Sequence, residues 1–73
     1  MLRIALFEQP LGQETDVRTG FLRENIEDRE EAVRLIEQHT HSFHHHGRNG
    51  EKGYWWCRND TDKTNTILRI EPM

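Results

Sequence analysis

Apolar residues of this chain fall into short clusters whose spacing changes along its length. From Leu2 to Glu8, Leu2, Ile4 and Leu6 alternate with Arg3, Ala5 and Phe7, a two-residue period that predicts a strand with both faces partly apolar. Pro10, Leu11 and Gly12 then carry turn chemistry, and a weaker alternation follows in which Val17, Thr19 and Phe21 share one side. A β-hairpin accounts for both runs.

The period lengthens over residues 29–41, where Ala32, Val33, Leu35, Ile36, Thr40 and Phe43 form one stripe at about 100° per residue. Asp28 stands where its carboxylate accepts from an orphan amide of the first turn, and Glu31 three places on completes a capping-box-like pair. Glu30 lies one turn before Arg34, a favourable exposed pair. His39 falls inside the apolar stripe, while His41 and His44 to His46 are expected on a solvated helix end, where cations suit the dipole. Gly47, Asn49, Gly50 and Gly53 then close the helical region and open a loop.

Beyond that loop, Tyr54-Trp55-Trp56-Cys57 has the aromatic content of a strand. Residues 59–65 are polar and turn-forming, and from Thr66 to Glu71 alternation returns, with Leu68 and Ile70 opposite Ile67, Arg69 and Glu71. These two runs make a second hairpin. The expected fold is therefore α+β, one small domain over residues 1–73 in the order ββαββ, with a helix packed on one face of a four-stranded antiparallel sheet.

A single helix covers only one face of such a sheet. With Leu2, Ile4, Leu6, Val17, Phe21, Trp55, Cys57, Leu68 and Ile70 under the helix, the reverse face collects Arg3, Phe7, Arg18, Tyr54, Trp56, Arg58, Ile67 and Arg69. Arginines interleaved with aromatics suit a protein interface or stacked bases, and equally a solvated sheet whose arginine stems lie over the rings. A register slip of one residue would exchange Trp55 for Trp56.

Composition sharpens this picture. The chain has 73 residues, 32% of them charged, with a mean hydropathy of −0.97. A core of this size supplies roughly 3–5 kcal/mol, so self-association or a bound metal would be a useful supplement. The single cysteine, Cys57, excludes an internal disulfide and fits a reducing cytoplasm. The N-terminal apolar run is too short for a signal-peptide core or a membrane span. The net charge of −3 argues against a general nucleic-acid binder held by phosphate attraction. Acidity is concentrated over residues 24–37, where Glu24, Glu27, Asp28, Glu30, Glu31 and Glu37 face only Arg29 and Arg34.

Three further constellations carry possible chemistry. His39, His44, His46 and Cys57 are zinc-ligating types that could converge from helix and strand into a metal-binding or pH-sensing module, although no C-x-x-C or H-E-x-x-H spacing accompanies them. Zinc would be the cofactor of that alternative alone; the interaction reading calls for none. Cys57 beside His39 would be a nucleophilic pair, but no orienting third residue follows. Asp60-x-Asp62-x-Thr64 tracks the start of a calcium loop, yet Asn65 stands where the turn needs glycine. No glycine arrangement cradles phosphate. The reading is a non-catalytic interaction module associating with itself or another protein through the sheet face left bare, homodimerisation being the leading mechanism and single-stranded nucleic acid a further alternative. Arg3, Tyr54, Trp56, Arg58 and Arg69 are its partner-binding residues.

Overall fold

Pairing of the first and last strands organises the sheet. In a computed structural model that describes residues 1–73, β1 (Leu2–Pro10) runs antiparallel to β5 (Thr64–Pro72) from Leu2 opposite Pro72 to Pro10 opposite Thr64, without a register shift. β2 (Val17–Ile26) flanks β1 on one side. On the other, β4 (Tyr54–Arg58) pairs with β5, and β3 (His45–Asn49) pairs with β4. The order is β2-β1-β5-β4-β3.

The expected α+β class and both hairpins are present, but the sheet has five strands rather than four. The missed strand is β3, made of His45, His46, Gly47, Arg48 and Asn49. Nothing in that run alternates between apolar and polar; its pairing comes from the adjoining β4 backbone, not from side-chain burial. The helix-end placement of the last histidines is thereby corrected. Helix α1 (Arg29–Thr40) stops with His41 as its C-cap, and Gly47 and Asn49 belong to the edge strand instead of a loop.

At the start of α1 the capping expectation holds for the backbone half, since the Glu31 amide donates to Asp28 Oδ1 at 2.8 Å. The apolar stripe behaves as its period requires: Ala32, Ile36 and Thr40 are buried, and Val33, Leu35 and Phe43 are half-buried. Beneath it, Ile4, Ile26, Trp55, Cys57 and Leu68 complete one buried cluster. Both Trp55 and Cys57 thus lie on the helix side.

Strand β2 departs from expectation. Its pairing with β1 slips three times, so Ile26 opposes Leu2, Arg23 opposes Ile4 and Phe21 opposes Ala5. Each slip inserts an extra residue in β2 and resets which side of the sheet the following residues face. Asn25, at φ +58, provides the left-handed turn within one of these bulges, a conformation asparagine tolerates. In consequence Val17 and Phe21 are exposed, contrary to their expected place under the helix, while Leu22 packs against the core.

Two substitutions test this layering by denaturant unfolding. Ile36→Ala opens a cavity between helix and sheet and is expected to cost about 2–5 kcal/mol, whereas Asp28→Ala removes one cap and should cost about 1 kcal/mol. An Ile36→Ala loss no larger than the cap's would contradict the packing described.

Candidate functional site

The sheet face opposite α1 is built from alternate residues of the same strands. At its floor, Ala5 and Ile67 are 0% and 1% exposed, although no helix covers them. The cover is made of side chains. Arg3 lies over the Phe21 ring at 4.7 Å, Arg18 over Phe7 at 5.0 Å, and Arg69 over Tyr54 at 5.2 Å. Each guanidinium holds that position because a carboxylate fixes its other end. Glu71 takes both Arg3 (3.2 Å) and Arg18 (2.8 Å), and Asp16 takes Arg69 (3.0 Å).

This arrangement divides the five expected binding residues. Arg3 and Arg69 are held by internal partners, so their charges are already satisfied. Arg58 is different: it forms neither an ion pair nor a side-chain hydrogen bond. With Tyr54, Trp56 and Ile67 it lines a shallow cleft of about 290 Å³, closed on the far side by Gln9, Leu11 and Asn65. The Asn65 Oδ1 is buried there without a hydrogen-bond partner, a condition that typically costs about 1–3 kcal/mol. Leu11, at the rim, is 46% exposed.

Trp56 is seated by a glycine. Its cross-strand neighbour is Gly47, and a Cβ at that position would lie 2.7–2.9 Å from indole atoms. The indole therefore rests on bare backbone of β3, with room that no other residue type would leave. The sequence pattern places Gly47 in a loop and singles out none of Gln9, Leu11 and Asn65. The glycine could be recognised only through a register that pairs it with an aromatic.

The histidines go elsewhere. His39 packs on the Phe43 ring at 5.3 Å, and His46 on His41 at 4.5 Å. His44 and His45 both meet Asp60 in the β4–β5 turn, His45 through Nε2, while the His44 amide donates to Asn59 Oδ1 at 3.0 Å. These bonds tie the start of β3 to the far turn. No three His, Cys, Asp or Glu side chains converge as a metal site, so the set His39, His44, His46 and Cys57 is not assembled. Nor does Cys57 suit nucleophilic chemistry: it is fully buried, and burial, with a smaller contribution from Asp62, pushes its thiol up to about 11. The residues resembling a calcium loop form the tight turn itself, with the Asp62 carboxylate accepting from the Asn59 amide.

Comparisons with protein-family models, with curated proteins and with solved structures gave no match for this chain. No helix is long and apolar enough to cross a membrane.

The titrating groups set two expectations. The hydrogen bond from Arg18, aided by Arg3, holds the Glu71 carboxyl below its ordinary value, and His45 does the same for Asp60. Carboxyls lowered in the fold stabilise it above their unfolded values of about 4, and this is lost as pH falls through the folded values. Glu71→Gln should therefore flatten the acid limb of a stability–pH curve, and an unchanged slope would reject the assignment. Thiol titration with Ellman's reagent at about pH 8, near the ordinary thiol value, should find Cys57 unreactive in the native protein and reactive once unfolded.

Proposed function

We propose that this chain is a non-catalytic protein-binding module that docks an acidic partner on the outer face of β4 and β5. The observation that carries this reading is the company kept by Arg58. It is the one arginine of the outer-face set with no direct ion pair to a carboxylate, Asp60 acting on it only at longer range, and it lies on the same strand face as Trp56 and Tyr54. Buried aromatic anchors with a neighbouring guanidinium are the side chains that carry most binding energy at protein interfaces. A carboxylate beside an apolar group would satisfy both halves of the cleft.

Charge bears on which partner. The outer face holds Arg3, Arg18, Arg58 and Arg69 against Glu71 and Asp16, a surplus of two positive charges. Two such faces pressed together would set like against like, so an acidic partner fits better than the face-to-face homodimer expected from the sequence. Single-stranded nucleic acid would use the same rings and guanidinium, but the net charge of −3 weighs against it. The burial and raised pKa of Cys57 support a non-catalytic role. A reducing, cytoplasmic setting suits that free thiol.

Titration with the acidic copolymer poly(Glu-Tyr), followed by calorimetry at low salt, tests the reading. Binding is expected, and Trp56→Ala should weaken it by about 2 kcal/mol or more, roughly thirtyfold. Failure of the copolymer to bind, or native affinity in Trp56→Ala, would reject it. Tighter binding of oligothymidylate than of the copolymer would replace it with the nucleic-acid reading.

A further inference from the structure

We infer that a second copy of this chain supplies the acidic partner: the exposed face of α1 on one molecule docks on the outer sheet face of the next, head to tail. This rests on the binding reading above and names its occupant.

The two surfaces are opposite in charge and lie on opposite sides of the sheet. Helix α1 and its cap carry Asp28, Glu30, Glu31 and Glu37 against Arg29 and Arg34, a surplus of two negative charges. Most of these side chains are exposed, including Glu30 and Glu37 on the solvent side of α1. The sheet separates them from the arginine face, so within one chain the two cannot meet. Between chains they can, and only in a head-to-tail sense, because a two-fold contact would join each surface to its own kind.

Shape agrees with charge. A 12-residue helix is about 18 Å long, close to the 22 Å short axes of the molecule. Along its exposed side runs a shallow recess of about 390 Å³, lined by Glu30, Val33, Arg34, Glu37, Gln38 and His41. Val33 offers the apolar floor for Leu11 or Trp56, and Glu30 and Glu37 offer carboxylates to Arg58. Arg34 faces the same recess and opposes the incoming guanidinium, so the two carboxylates must outweigh it. In the assembly each sheet gains a helix on its second face. Because the contact does not close on itself, growth continues past the dimer, and salt dissolves it.

Sedimentation velocity of the full chain tests this with two neutralising variants, each first checked for native circular dichroism. The wild type at about 20 mM salt should show species larger than dimer that grow with concentration and revert to monomer at about 0.5 M salt, where screening shortens to a few ångströms. Trp56→Ala/Arg58→Gln removes the sheet surface and Glu30→Gln/Glu37→Gln removes the helix surface; each alone should be monomeric. Mixed one to one, they should form a heterodimer that grows no further, since each retains one working surface. A wild type that stays monomeric or stops at a two-fold dimer, or a variant that by itself assembles as far as the wild type does, would overturn the inference. If that monomeric wild type still binds poly(Glu-Tyr), the binding reading survives with a foreign partner. If it binds neither, both fall.

Discussion

Strict alternation through the β1–β5 ladder is the constraint on which the rest of this structure depends. Leu6 opposes Leu68 and Ile4 opposes Ile70 on the helix side, while Phe7 opposes Ile67 and Ala5 opposes Arg69 on the other. The same parity passes to β4, where Trp55 pairs with Leu68 and Trp56 with Ile67. A slip of one residue would turn the core outward and bury the arginines unpaired. Since both outcomes are costly, the ladder decides at once which tryptophan packs under α1 and which is left to face the surroundings.

The outer face shows how a small protein manages a sheet surface that no helix covers. Its arginines work as lids: their guanidinium groups lie over the aromatic rings, and Ala5 and Ile67 on this face stay buried. Each such contact is worth only about 0.5–1 kcal/mol at an exposed site, and exposed ion pairs add little more. Their value lies in being coupled, because Glu71 serves two arginines and holds both over aromatic rings. The lattice ends at β4. There Trp56 leans on Gly47 and Arg58 forms no ion pair, meeting Asp60 only at longer range, so the surface changes from self-satisfied to available.

How far the sequence disclosed this depended on what stabilises each part. The helix, its cap at Asp28 and the strands β1, β4 and β5 were legible because burial imposes a period on their side chains. Tyr54, Trp56 and Arg58 could be placed together on that basis. β3 was invisible because backbone pairing, not burial, makes His45–Asn49 a strand. The facing of Phe21 was misread because the bulges of β2 break the alternation from which it was inferred. Telling the paired Arg3 and Arg69 from the free Arg58 required knowing where Glu71 and Asp16 fall, which are contacts across the sheet with no local signature.

Two adjacent tryptophans have opposite environments in this fold, and acrylamide quenching of single-tryptophan variants measures the difference directly. In Trp56→Phe the remaining Trp55, 4% exposed beneath α1, should emit to the blue and resist quenching. In Trp55→Phe the remaining Trp56 should emit further to the red and be quenched several times more efficiently. Equal quenching of both, or the reverse order, would contradict the alternation and with it the proposed docking face.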